Sequence, residues 1–164
     1  MIAVRVSQAR ALMGPLLTGD TFDSFLLQEA TVRAAVTYQI DGRIREGYYA
    51  AEDPEKPDYE WMPWARMREQ IFGLIRGQHT PEYLRFVLQL RPESALEMLQ
   101  KGDPESDFSQ LSALVIVITF EDGKAVITTG TSYHTFVPDK TADRIWDKQF
   151  PRFLEMKGIG FEIM

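Results

Sequence analysis

The sequence predicts an α+β domain: a mainly antiparallel sheet of two hairpins plus flanking strands, packed by about four helices. Three observations carry this expectation. Asp41-Gly42 and Asp122-Gly123 each follow a β-prone segment, and Asp-Gly accepts the positive φ values of a tight hairpin turn. Residues 111–120 form an unbroken β-prone run, as a central strand would. Between such runs, apolar residues recur at helical spacing and stop at glycine or proline.

Taken in order, residues 2–6 alternate apolar and polar as a strand does, and Ser7 can cap a short helix whose apolar positions are Leu12, Met13 and Leu16, ended by Pro15 and Gly19. Residues 31–38 alternate as a half-buried strand. The Asp41-Gly42 turn then sets Ile40 opposite Arg43, with the chain returning through residues 44–49 as the partner strand of a first hairpin. Residues 51–60 hold two prolines among charged residues and read as a surface loop. Pro63 suits the first turn of a helix carrying Trp64, Met67, Ile71, Leu74 and Ile75, with Gly77 as its stop.

Residues 83–90 read as a strand with Leu84, Phe86 and Leu88 on one side, and Pro92 opens a helix ending near Gly102. In the central strand Leu114, Ile116 and Ile118 share one face and Val115 and Val117 the other, and both faces are expected to be covered. A two-residue turn at Asp122-Gly123 pairs Glu121 with Lys124, Thr119 with Val126, Val117 with Thr128 and Val115 with Gly130. Ala113, Gly130 and Ser132 then form a small-residue face that another backbone or a ligand can approach closely. A last helix from Thr141 is expected to kink or restart at Pro151 and to end at Gly158, and residues 159–164 return as a terminal strand. Nothing divides the chain, so residues 1–164 are expected to form one domain.

Composition narrows the function classes. Cysteine is absent, which removes disulfides, thiolate metal sites and a cysteine nucleophile. A reducing cytoplasm fits that absence. The longest apolar run, residues 113–118, is far short of the roughly 20 residues of a membrane-spanning helix. No signal-peptide pattern precedes the first strand. A net charge of −6 gives a field that opposes polyanions, so nucleic acid is disfavoured as a partner.

Few residues suggest chemistry. His79 and His134 are the two histidines, and neither has a second ligand at metal spacing; no metal or cofactor is implied. His134 is a candidate general base beside Asp139 or Asp143. The segment Thr128-Thr129-Gly130-Thr131-Ser132 resembles a phosphate loop in composition but lacks its spacing. Asp20, Asp23, Glu29 and Asp41 follow no cation-loop spacing. Tyr59 and Trp61, with Tyr48, Tyr49 and Trp64 nearby, pair large contact area with polar tips and are the candidate interaction residues.

The strings Thr21-Phe22-Asp23-Ser24-Phe25-Leu26-Leu27, Ile40-Asp41-Gly42-Arg43 and Thr129-Gly130-Thr131-Ser132 resemble those of a family of uncharacterised bacterial proteins, a domain of unknown function seen mainly in clostridial-type organisms. That resemblance spans most of the chain and implies a bacterial, intracellular setting, with no activity to carry over. Two functions of different class are therefore expected. The first is a non-enzymatic cytoplasmic binding or protein-interaction domain, its partner another protein or a second copy of the chain. The second is a small-molecule enzyme or hydrolase acting on a phosphorylated substrate, through Asp23, Arg43, Thr131 or His134 if folding gathers them. A deep pocket around those four favours the enzyme, and a flat apolar patch near Tyr59 and Trp61 favours the partner.

Overall fold

Seven β-prone segments pair in one continuous ladder because each offers its neighbour an alternating apolar face and backbone groups that need partners. In the computed structural model, which describes residues 1–164, the strands are β1 (Ala3–Val6), β2 (Phe25–Arg33), β3 (Thr37–Asp41), a two-residue β4 (Met62–Pro63), β5 (Tyr83–Leu90), β6 (Leu111–Glu121), β7 (Lys124–Tyr133) and β8 (Phe161–Ile163). The helices are α1 (Ala9–Met13), continued by a π-helical turn at Gly14–Thr18, then α2 (Trp64–Ile75), α3 (Pro92–Gly102) and α4 (Thr141–Met156). Every strand pairing is antiparallel, in the order β3-β2-β5-β6-β7-β1-β8, with β4 beside β3 on the outer edge of β2. The α+β class and its antiparallel sheet are as the sequence predicts.

The second hairpin has the expected register, with Glu121 opposite Lys124, Val117 opposite Thr128 and Val115 opposite Gly130. Asp122 at φ 51° and Gly123 at φ 72° make the turn. The first hairpin differs. Its turn is Ala34–Val36, which joins β2 to β3 so that Ala30 faces Ile40 and Val32 faces Tyr38. Alternation across residues 31–38 hides this turn, since Ala34, Ala35 and Val36 carry no turn residue. Gly42 serves another purpose: its N–H donates to the Gln28 carbonyl, its own carbonyl accepts from Met62 N–H, and residues 44–49 form no strand. Instead Arg43 bridges to Trp61, and β4 pairs with Leu26 and Leu27 of β2, away from the residues that the return strand is expected to face.

One apolar cluster of 29 buried residues joins the sheet to the helices. Phe25, Leu27, Leu84, Phe86, Leu88, Leu114, Ile116, Ile118 and Ile127 enter it from the strands; Leu12, Trp64, Ile71, Leu99, Trp146, Phe150 and Leu154 enter it from the helices. All four helices therefore lie on one face of the sheet. Two tryptophans fix them by satisfying their own polar ends: Trp64 Nε1 donates to the Leu16 carbonyl at 2.8 Å and Trp146 Nε1 to the Val115 carbonyl at 2.9 Å. The last helix runs through Pro151 unbroken, because the stripe Trp146, Phe150 and Leu154 is buried on both sides of the missing N–H.

The expectation that both faces of β6 are covered is half met. Leu114, Ile116 and Ile118 are fully buried, whereas Val115 and Val117 stay partly accessible on the face that bears no helix. An antiparallel sheet permits this, since its connections need not cross over either face.

Candidate functional site

The face without helices is a feature that the core does not explain. Directly paired residues point to the same side, so the register defines its rows. Asp41, Glu29, Val87, Val117, Thr128 and Ala3 form one row across six strands. Beside it run Gln39, Thr31, Arg85, Thr119, Val126 and Arg5. On the other side of the first row, Gln89 faces Val115 and Val115 faces Gly130; at the β2–β5 end of this row the face is closed, with Leu26 and Gln89 buried. The centre is thus valine, threonine and glycine on β5, β6 and β7, and the charges sit toward the ends. Gly130 keeps this centre level: a Cβ there would lie 3.0 Å from Val115 Cγ2. The small-residue face expected from Ala113, Gly130 and Ser132 belongs to this surface.

Charges on the rim are already partly paired. Arg85 meets Glu29 at 3.1 Å and Arg5 meets Glu162 at 3.3 Å, both exposed contacts of small energetic weight. Asp41 carries no ion pair and accepts only the Arg43 N–H, at 3.0 Å. At this corner Gln28, Glu29, Gln39, Asp41 and Trp61 line a cleft of about 450 Å³. Gln28 Nε2 donates to Gln89 Oε1 at 2.7 Å, which orders the amides behind it.

Trp61 is half-buried at the cleft wall, with the Arg43 guanidinium 5.6 Å from its ring. Tyr59 is committed elsewhere. Its hydroxyl donates to the Glu93 carboxylate at the start of α3, and the Arg91 guanidinium lies 5.7 Å from its ring. That hydrogen bond raises the Tyr59 phenol and holds the Glu93 carboxyl below its ordinary range. Trp61 and Tyr59 thus flank one loop, but Trp61 alone of the two reaches the uncovered face.

The four residues of the enzyme reading do not share a pocket. Asp23 accepts two bonds from Arg68 of α2, at 2.9 and 3.2 Å, and so ties the turn before β2 to that helix. Arg43 pairs with Glu60 at 2.6 Å. Thr131 lies on β7, and four strand spacings between β3 and β7 amount to about 19 Å. Thr131 donates to Asp143 Oδ1 at 2.6 Å, on the helix side of the sheet. His134 is exposed, and its backbone N–H donates to the Gln110 carbonyl. The acids suggested beside it are occupied: Asp139 accepts from Thr141 N and Oγ1, and Asp143 from Thr131 and Tyr133.

The sequence reading missed the polar ladder behind this arrangement. Thr129, Thr131 and Tyr133 alternate on β7 toward α4, where Asp143 and Asp147 stand one turn apart. Thr129 donates to Asp147 at 2.6 Å and Tyr133 to Asp143 at 2.7 Å. Both periods are visible in the sequence, two along the strand and four along the helix, but their meeting is a tertiary fact. Burial on its own pushes the Asp143 carboxyl up; the hydroxyls of Thr131 and Tyr133 outweigh it and hold the group below its usual range. Burial, then the bond to Asp143, pushes the Tyr133 phenol up to about 12.

These shifts have opposite consequences for pH. Asp143, depressed in the fold, contributes stability that is present above the ordinary carboxylate range and lost as pH falls through its lowered value. Tyr133, raised in the fold, contributes stability that is present below its unfolded value near 10 and lost as pH rises through about 12. Tyr133→Phe is expected to cost about 1.5–2 kcal/mol at pH 7, the lower part of the range for a bond to a charged acceptor because the pair is only part-buried. It should also remove one late-titrating phenol from the ultraviolet difference spectrum. An unchanged high-pH spectrum would refute the assignment.

A further groove of about 410 Å³ lies where α1, the end of α2 and the β6–β7 turn meet, with Arg10, Arg76, His79 and Lys124 on its walls. Glu82, Glu121 and Asp122 line the same groove, so it offers a phosphate no net positive field. No group of three or more His, Asp or Glu side chains is placed to hold a metal ion. No helix is long and apolar enough to cross a membrane. No curated protein and no solved structure matches the chain. A family of unknown function, DUF5721, matches residues 15–162, nearly the whole length, and the chain belongs to that family.

Proposed function

We propose that this chain is a non-enzymatic protein-interaction domain of the cytoplasm whose binding surface is the uncovered sheet face, with Trp61 at its corner. The observation that carries the reading is the row Val87, Val117 and Thr128, flanked by Val115 and Val126, on a face where no helix packs. A level patch of branched side chains with a charged rim is the form of a protein contact, where a buried centre supplies affinity and the rim supplies orientation. The alternative, a hydrolase of phosphorylated substrates, draws no comparable support. Its residues Asp23, Arg43, Thr131 and His134 stand on different elements, and the first three are bonded to partners of their own.

The test is affinity capture from cells of the source organism, with wild type, Val117→Lys and Trp61→Ala as baits. A discrete partner, whether another protein or an untagged copy of the chain, should be retained by wild type and reduced at least about tenfold by Val117→Lys, at an unchanged melting temperature. Trp61→Ala should weaken retention less. Equal recovery on all three baits would overturn the reading.

A further inference from the structure

We propose that the outer edge of β3 is a strand-addition site, where the partner protein enters as an extended, basic segment running antiparallel to Thr37–Asp41. The proposal rests on the interaction reading above and specifies the form of the partner. β3 ends the strand order, so one side of its backbone has no neighbour. The bonds of β2 show which groups are left over. The Arg33 carbonyl accepts from Glu82 N–H, so the backbone groups of Arg33 face β5, while the next residue, Ala34, donates to the Val36 carbonyl on the other side. Alternation then gives Val32 and Ala30 to Tyr38 and Ile40, and leaves the N–H and C=O of Thr37, Gln39 and Asp41 pointing outward. Three donors and three acceptors at two-residue spacing are what an antiparallel partner strand pairs with.

The two ends of the sheet are not alike. β8 is three residues long, and its Glu162 is paired with Arg5. β3 is five residues long and contains no lysine, proline or bulge, the usual devices that keep a strand edge from pairing. It is also uncovered. Thr37, Tyr38, Gln39 and Asp41 are exposed, and so is Val36 at the adjoining turn.

The register states what such a segment carries. An antiparallel strand sets its first residue opposite Asp41, its second opposite Ile40 and its fourth opposite Tyr38. Ile40 and Tyr38 pair with Ala30 and Val32 on the helix side, where Ile40 packs against the core, so the second and fourth residues are branched and apolar. Asp41 lies on the open face without an ion pair of its own and shares its cleft with Glu29, so the first residue is lysine or arginine. Trp61 lines the same cleft and gives the stem of that side chain an apolar wall.

The test uses the peptide acetyl-Lys-Val-Thr-Val-Thr-amide and the isotope-labelled full chain, with amide exchange read residue by residue. Without peptide, the amides of Thr37, Gln39 and Asp41 should exchange quickly and those of Tyr38 and Ile40 slowly. At about 5 mM peptide and a Kd of about 1 mM, the three outward amides should slow about sixfold, in proportion to the bound fraction. Glutamate in place of the lysine should weaken binding about fivefold, and Asp41→Lys should reverse that preference. N-methylation of the central threonine removes the N–H that bonds Gln39 and should abolish protection; on the first valine, whose N–H faces away from β3, it should not. Gln39→Pro removes one outward donor and should act in the same way from the protein side, at an unchanged circular dichroism spectrum. Outward amides that stay unprotected at the highest peptide concentration, equal binding of the lysine and glutamate peptides, or equal protection by the two N-methylated peptides overturns the proposal. Should it fall while Val117→Lys still abolishes capture of a partner, the interaction reading stands; equal capture on every bait removes both.

Discussion

Replacing Ile116 with aspartate should unfold much of the population, with a loss of several kcal/mol against a typical total of about 5–15. Ile116 has no accessible surface, lies between Leu88 and Thr129 in the ladder, and belongs to the apolar cluster beneath the helices. A carboxylate there would face aliphatic side chains and would have to take up a proton or expel its strand. Val117→Asp, one position further on in the sequence, points to the face without helices and should cost a small fraction as much. Urea titrations of the two variants measure the difference. Equal losses would mean that the sheet is covered on both sides and that the uncovered face does not exist.

Gly42→Ala should be the second severe change, on the order of 3 kcal/mol, at the upper end of what an extra methyl costs in a packed site. A Cβ at Gly42 would stand 1.9 Å from the Leu27 carbonyl oxygen and 2.7 Å from its carbon, both backbone atoms of β2. Neither can turn aside as a side chain does. The chain passes this closely because Gly42 bonds to Gln28 on one side and Met62 on the other, at the bulge between Leu27 and Glu29. Gly73 is the control, since it lies in α2 with open space around it. There the same substitution should stabilise the protein by about 0.5–1 kcal/mol, by raising helix propensity. Thermal melts that moved in the same direction for both variants would contradict the close approach.

By itself the sequence determined the elements whose signals are local. The strand Tyr83–Leu90 and helix Pro92–Gly102 follow from alternation and from a proline at the first helical turn. The register of β6 on β7 follows from Asp122-Gly123, because a two-residue turn leaves one way to pair the strands. Such features depend on residues a few positions apart, so the chain states them without its fold. Tertiary structure decided the rest. Asp41-Gly42 has the composition of a turn, yet Gly42 is needed for a backbone crossing with residues distant in sequence, and the turn moved to Ala34–Val36. Asp143 read as a partner for His134, but α4 sets it against Thr131 and Tyr133. Val115 and Val117 read as buried because alternation tells one face from the other and cannot say which neighbours arrive. That depends on where the helices dock, a choice made by the whole apolar cluster, and they docked on one side of the sheet only.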